Sequence, residues 1–362
     1  MMKPIHPIKI IVIGCGNMGA SHARAYHHLE GFELVGLIAR GPERRSQLAA
    51  ELGGIAQYDT LEDAIANAHP QAAAICTYPD SHADYAFRCL DAGLHLFMEK
   101  PLAETVEEAR EILRRAQAQQ RKVVIGYILR HHPAWIKFVE IARTLGKPLV
   151  MRMNLNQQSN GREWETHRAL MQSMSPIVDC GVHYVDIMCQ MTGARPLRVQ
   201  AIGARLSEEI APEMYNYGQL QVVFDDGSVG WYEAGWGPMM SETAYFVKDV
   251  IGPRGAVSIV DPGQNAAADS ADIDAHTKTN ALLRHHAALN PQGNFTREDI
   301  LIDTRDEPDH QELCNREQIF FRRAIQEDLD LSEHLESAVN SLAIVLAADR
   351  SVRSGSVEML ES

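Results

Sequence analysis

Three residues of this sequence carry side chains suited to moving a proton and steadying a charge: Lys100, Asp179 and His183. Asp179 and His183 stand four apart, so on a helix they share a face. An imidazole titrates near pH ~6.5, which suits reversible proton transfer. A neighbouring carboxylate can orient the ring and stabilise its cationic form. Lys100 ends a strand-like run, where α/β proteins place ligands; its ammonium can polarise a reacting oxygen or, with a lowered pKa, act as the base itself. Together these groups suit oxidation of a secondary alcohol, in which a base takes the hydroxyl proton while hydride leaves the same carbon. A helical Asp/His pair alone is more often an ordinary polar contact, so its meaning depends on what surrounds it. Metal ligation is the other reading of Asp179, His183 and Asp186. No second His/Asp ligand set is visible and hydride transfer needs no metal, so none is expected.

A carrier for that hydride is implied upstream. Ile10-Ile11-Val12-Ile13-Gly14-Cys15-Gly16-Asn17-Met18-Gly19 is a strand running into G-x-G-x-x-G. A bare motif of this kind arises by chance, but here a helix follows and another strand begins about 20 residues on. Gly14 permits the tight turn, Gly16 lets a pyrophosphate approach the backbone, and Gly19 lets the helix sit close to the strand. Asn17 and Met18 open the helix whose N-terminus offers N–H groups to the phosphates. A dinucleotide is therefore expected. The second strand ends Ile38-Ala39-Arg40, followed by Glu43, Arg44 and Arg45. An arginine there can pair with a 2′-phosphate or stack on adenine, whereas an acid would hold a ribose 2′-hydroxyl. Arg40 makes NADP(H) the favoured cofactor; Glu43 keeps NAD(H) open, and the arginines can equally solvate a helix start.

The elements around these residues form two patterns. Strand-like runs at 8–13, 33–39, 72–77, 95–99 and 123–126 alternate with helical patterns at 20–29, 43–52, 61–66, 81–92 and 106–118. This alternation predicts an α/β Rossmann domain over 1–126, with a doubly wound parallel sheet. From 127 the pattern changes. A helix (133–145), a strand (149–156), a polar stretch (157–175) and an apolar helix (177–191) precede strand-like runs at 197–204, 218–224, 228–234, 244–251 and 256–260. Asp225-Asp226-Gly227 marks a hairpin. A second domain over 127–362 is thus expected to be α+β, with an open and mainly antiparallel sheet. Residues 261–309 read as a surface excursion with a short helix near 277–287, and helices at 311–327 and 335–355 close the chain.

Composition excludes several classes. The 362 residues are 45% hydrophobic with a net charge of −14 and no basic block, so neither nucleic acid nor an anionic membrane is an expected partner. No apolar run approaches the roughly 20 residues needed to cross a bilayer, and the N-terminus shows no secretory h-region. The six cysteines are scattered without a C-x-x-C pair. Reduced thiols in a cytoplasmic protein are expected.

The chemistry-bearing segments also resemble a known family. Phe97-Met98-Glu99-Lys100-Pro101 carries the Glu-Lys-Pro motif of the Gfo/Idh/MocA oxidoreductases, the family of glucose–fructose oxidoreductase and inositol dehydrogenase. Thr77-Tyr78-Pro79-Asp80-Ser81-His82 resembles that family's loop beside the nicotinamide. Gly126-Tyr127-Ile128-Leu129-Arg130-His131-His132-Pro133 is similar to its entry into the second domain, and Asp179-Cys180-Gly181-Val182-His183-Tyr184-Val185-Asp186 to its D-x-G-x-H-x-x-D helix. Order and spacing agree for all four, and only 261–309 falls outside the likeness.

The resemblance implies roles. His183 would be the general acid/base, Asp179 its partner and a substrate ligand, and Lys100 the electrostatic anchor. Glu99 would position Lys100 or the nicotinamide ribose, Pro101 would fix the turn, and Thr77, Tyr78, Pro79 and His82 would adjoin the cofactor. Arg130 matches a family substrate contact, which gives His131 the best claim among the paired histidines; His27-His28, His131-His132 and His285-His286 otherwise read as surface or helix-end residues. Asn156 can hydrogen-bond a hydroxyl and Trp164 can offer an aromatic face, with Asn154, Arg162 and His167 near them. These suit a sugar, glycoside or inositol-like polyol, and the arginines would also accept an acidic sugar. The expected protein is an NAD(P)-dependent dehydrogenase interconverting hydroxyl and ketone, its active site between the two domains. An NAD-recycling glycosidase-like relative and a non-enzymatic dinucleotide-binding regulator are the alternatives. A homodimer or homotetramer through the second domain's sheet is expected, because an open sheet needs its outer face covered.

Overall fold

A computed structural model describes residues 6–241, 247–260, 277 and 279–360. In chain order the first part contains β1 (Ile8–Ile13), α1 (Asn17–His28), β2 (Phe32–Ile38), α2 (Pro42–Glu51), β3 (Gln57–Tyr58), α3 (Leu61–Ala68), β4 (Ala72–Ile75), α4 (His82–Asp91), β5 (His95–Met98), α5 (Val106–Ala118) and β6 (Val123–Ile125). There follow α6 (Pro133–Arg143), β7 (Val150–Gln158), α7 (Gly161–Leu170), α8 (Pro176–Asp179), α9 (Gly181–Thr192), β8 (Pro196–Ala204), β9 (Tyr217–Phe224) and β10 (Val229–Gly237). The remainder is β11 (Lys248–Gly252), β12 (Gly255–Val260), β13 (Ala281–His286), β14 (Ile300–Asp303), α10 (His310–Gln326), α11 (Ser332–Ser354) and β15 (Glu358–Met359). Two compact units emerge: Met1–Ile128 with Asp309–Val339, and Leu129–Pro308 with Asn340–Ser362.

The first unit is built on a parallel sheet in the order β3-β2-β1-β4-β5-β6. Helices on both faces bury its central strands, which is why β1 from Ile10 onward and β4 read as continuous apolar runs rather than alternating ones. Strand order reverses direction between β1 and β4, so the crevice for a ligand opens at their carboxyl ends. Thr60 caps α3, and Thr105 with Glu108 forms a capping box on α5. The helix expected near 311–327 is α10, and it returns to this unit. Its Phe321 and Ala324 join Ile10, Tyr26, Phe32 and Phe97 in one core.

The second unit carries a nine-stranded sheet, β14-β13-β12-β11-β7-β10-β9-β8-β15. β10 pairs with β7 in parallel and every other pairing is antiparallel. The hairpin at Asp225-Asp226-Gly227 joins β9 to β10, with Gly227 at φ +82° and its N–H bonded to Phe224 O at 3.1 Å. Trp135, Tyr184 and Tyr232 anchor the core between helices and sheet; Tyr184 and Tyr232 stack at 5.2 Å.

Two expectations are corrected here. Among the described residues no helix forms where one was expected near 277–287, because residues 281–286 are strand β13, held between β12 and β14. Ala, Leu, Arg and His give no β signal of their own, so the pairing decides. Residues 261–276 lie outside the described residues, as do 244–246 of the expected strand 244–251. Finally, the single helix expected over 177–191 is two, α8 and α9, joined at Cys180. There the His183 N–H bonds to Cys180 O at 3.2 Å, an i→i−3 contact that tightens the junction.

One buried group of the first unit sets a pH dependence. Glu317 on α10 is 1% exposed, and neither of its carboxylate oxygens has a hydrogen-bond partner among the described residues. Burial, and secondarily the charge of Glu99, pushes its pKa well above the usual carboxylate range. The folded state therefore keeps a proton that the unfolded chain loses above pH ~4.3, so stability falls as pH rises from there toward the raised folded value. Glu317→Gln, which supplies a permanently neutral side chain of the same shape, should match the parent's melting temperature near pH 5. It should exceed it by a few degrees at pH 8 in parallel thermal melts; a difference that does not grow with pH would contradict this.

Candidate active site

The phosphate loop of the first unit shows why its glycines sit where they do. Gly14 takes φ +97°. A side chain at Gly19 would place its Cβ 1.8 Å from Gly14 O and 3.3 Å from Cys76 Cβ, so α1 can lie against the loop only without one. Gly16 is different: a Cβ there meets nothing within 4 Å. The fold does not need that glycine, and the open space above it is where a pyrophosphate would approach. Asn17 is exposed and Met18 half-buried at the start of α1, whose first turn holds no acid and whose N-cap, Gly16, makes no side-chain hydrogen bond. The positive end of the helix is thus left for an anion. These residues fit a dinucleotide.

Around the same crevice the expected residues have varied fates. Arg40 is exposed at the end of β2, as are Glu43 and Arg44, whereas Arg45 turns inward to Tyr58 O (2.6 Å), Ala39 O (3.2 Å) and Asp59 (2.7 Å). Only Arg40 and Arg44 of the three arginines face solvent. Tyr78 is 61% exposed and Pro79 half-buried, beside Thr77, whose hydroxyl accepts from Ser81 Oγ at 2.8 Å. His82 is fully buried, its ring nitrogens 2.9 Å from Pro101 O and 3.0 Å from Thr77 O. Burial lowers its pKa despite those carbonyls. Its side chain ties the Thr77 loop to the Lys100-Pro101 turn. Glu99 is buried and Lys100 half-buried at the end of β5.

In the second unit α8 and α9 are buried nearly throughout, and Asp179, Cys180 and His183 are the half-exposed positions before Gln190. α8 is placed by Ser175, whose Oγ caps Val178 N–H and donates to Asp349 at 2.6 Å, with the Tyr215 hydroxyl bonded to Asp349. α9 is placed by Gly181: a Cβ there would stand 2.9 Å from the Tyr232 ring. A layer that the sequence did not reveal lies beside Asp179. Gln157 Oε1 accepts from Trp236 Nε1 (2.7 Å) and from the Cys180 thiol (3.3 Å), Cys180 Sγ is 3.6 Å from Asp179 Oδ2, and His167 stacks on Trp236 at 4.4 Å. Positions 157, 167, 180 and 236 share no motif, so no sequence signal could have joined them.

Of the expected substrate contacts, Arg130 is held bidentately by Asp186, at 2.8 and 2.5 Å, both side chains nearly buried. Asp186 of the helix motif is therefore an ion-pair partner, and it also accepts from Gln190 at 3.1 Å. His131 is pushed down to about 4 by burial and by Arg130. His132 is a helix-end residue as expected, at the N-cap of α6, although fully buried there, whereas His286 is buried in β13 and is neither at the surface nor at a helix end. Asn156 donates to Glu233 at 2.6 Å, while its buried Oδ1 has no partner among the described residues. Trp164 belongs to an apolar cluster with Met171, Ile210, Met214 and Trp236, where packing accounts for it. Lys248, unremarked in the sequence, is buried beneath the Tyr184 ring at 5.5 Å, and burial lowers its pKa to about 7.

The class is now defined: a dinucleotide-binding Rossmann unit and an open-sheet unit bearing a half-exposed Asp/His pair. Residues 8–127 match the family model described as the oxidoreductase family with an NAD-binding Rossmann fold, and residues 141–257 match the GFO/IDH/MocA C-terminal domain. The chain belongs to the Gfo/Idh/MocA oxidoreductase family. It is 25% identical over 170 residues to 4-carboxy-2-hydroxymuconate-6-semialdehyde dehydrogenase of Sphingobium sp., covering 44% of this chain and 54% of that one. It thus spans about half the length of that relative. It is 27% identical over 271 residues to scyllo-inositol 2-dehydrogenase (NAD(+)) of Bacillus subtilis, covering 70% of this chain and 74% of that one. The crystal structure of GenD2 from gentamicin A biosynthesis, in complex with NAD, shares the fold with a TM-score of 0.75 at 19% identity, covering 100% of this chain and 98% of that one. Among the described residues no helix is long and apolar enough to cross a membrane.

The two loop glycines should separate experimentally. Gly19→Ala should lower the melting temperature by several degrees or prevent soluble expression, because backbone oxygen cannot yield. Gly16→Ala should melt like the parent yet bind dinucleotide more weakly by calorimetry. Equal melting of both variants would remove the distinction.

Proposed function

We propose that this protein is an NAD(P)-dependent dehydrogenase or reductase interconverting a secondary hydroxyl and a ketone on a sugar, glycoside or inositol-like polyol. The observation that carries the reading is the half-exposed Asp179 and His183 on otherwise buried helices, in a family whose first unit is built to hold a dinucleotide. The likeness to scyllo-inositol 2-dehydrogenase over most of both chains supports the substrate class. Bound nicotinamide supplies the hydride acceptor. His183 takes the hydroxyl proton as the carbonyl forms and returns it in reduction; Asp179 orients the imidazole and contacts the substrate. Lys100 steadies the negative charge that develops on the reacting oxygen. Proton-transfer groups of this kind favour an enzyme over a sensor of dinucleotide.

Arg40, exposed at the end of β2, supports NADP(H) as the preferred form, by pairing with a 2′-phosphate. Self-association as a dimer or tetramer through the nine-stranded sheet is part of the same reading. Val229, Val150 and Ile251 are register neighbours on β10, β7 and β11 and are all exposed, an apolar patch that a second copy would cover.

The test is a screen of inositols, aldoses and glycosides with NAD+ and NADP+, read by reduced-nicotinamide absorbance. His183→Ala should lower kcat by about 10²–10⁴-fold and Lys100→Ala by about 10²–10³-fold, each with the coenzyme KM little changed. Full activity in both would sink the assigned roles. Arg40→Ala should raise the KM for NADP+ several-fold and leave that for NAD+ alone; equal change in both would count against the NADP preference.

A further inference from the structure

The turn carrying Lys100 is supported from inside the first unit by a continuous chain of hydrogen bonds. The Tyr26 hydroxyl donates to Gln318 Oε1 at 2.5 Å, Gln318 Nε2 lies 3.0 Å from His22 Nδ1, and His22 Nε2 lies 2.6 Å from Glu99 Oε1. The second oxygen of Glu99 accepts the Lys100 backbone N–H at 3.2 Å. Tyr26, His22 and Gln318 are fully buried and Glu99 nearly so. The chain has a direction. A Tyr26 O–H donating to the amide oxygen leaves the amide N–H₂ to donate to Nδ1, which places the ring proton on Nε2, facing the carboxylate. Phe97 meets the His22 ring edge-on at 4.6 Å. Gly126 leaves room for Glu99: a Cβ there would stand 3.3 Å from Oε1.

We infer that His22, Gln318 and Tyr26 are positioning residues that set the Lys100 turn through Glu99, so that α1, the helix that follows the glycine loop, and the lysine move as one rigid piece. This inference rests on the proposed role of Lys100. It also redefines Glu99, whose two oxygens hold His22 and the Lys100 backbone. The ligand-type atoms of His22, Cys314 and Glu317 lie within 4.8 Å of one another. Both His22 nitrogens are already engaged, one by Gln318 and one by Glu99, so His22 itself serves the hydrogen-bonded chain.

The test compares His22→Ala, Gln318→Leu and Tyr26→Phe with the conservative His22→Gln, which can keep an N–H toward Glu99. Misplacing the lysine should lower kcat by about tenfold to a hundredfold while the dinucleotide KM stays near the parent value, with His22→Gln recovering most of the loss. Independently of turnover, hydrogen–deuterium exchange should accelerate in the segment 99–103 and not in β1 or β4. Tyr26→Phe removes one hydroxyl from the far end and should show the same pattern more weakly, which keeps the test available if His22→Ala does not fold. Parent-like kcat and exchange in the folded variants, or exchange accelerated uniformly across the unit, would overturn the inference. A parent protein inactive on every substrate would instead count against the proposed function, and the exchange measurement would still decide the support chain.

Discussion

The first unit depends on one close approach: α1 lies so near the β1 turn that Gly19 has no room for a side chain beside the Gly14 carbonyl. That contact aims the helix N-terminus, and its backbone N–H groups, at the crevice where strand order switches between β1 and β4. A methyl group would push the helix away and take the anion site with it. The second unit repeats the device with different parts, since Gly181 lets α9 settle against Tyr232 of β10. In the second unit Asp179 and His183 flank Gly181, the glycine that permits the contact.

Burial then divides charged residues into those enclosed in the fold and those that stay in contact with solvent. A charge taken out of water must be paired or neutralised. Arg45 and Arg130 are paired with backbone oxygens and carboxylates, Glu317 is driven toward its neutral form, and Lys248 toward its own. Arg40, Tyr78, Lys100, Asp179 and His183 keep contact with solvent. Several of the buried residues looked like ligand contacts by type. Their surroundings show what each already holds within the fold.

The Rossmann pattern was legible because its signals are local. β1 is apolar on both faces, the glycines sit at fixed offsets along the turn, and helices alternate with strands at regular intervals. The Asp179–His183 spacing was legible for the same reason, although the helix that carries it breaks at Cys180. Residues 281–286 were misread as a helix because a strand made of Ala, Leu, Arg and His is recognised only by the neighbours it pairs with. The packing of Trp164 was not legible at all, because its partners come from positions 171 to 236.

What the sequence by itself determined is therefore the set of groups available for chemistry and the dinucleotide fold of the first unit, both written in local motifs and in the alternation of strands and helices along the chain. Tertiary structure alone decided which of those groups remain accessible. It enclosed Arg130 against Asp186, turned His82 to backbone carbonyls, and joined Tyr26, Gln318 and His22 to Glu99 across nearly 300 positions of chain. Burial and partner choice depend on what packs together from distant segments, and no local pattern of residues carries that information.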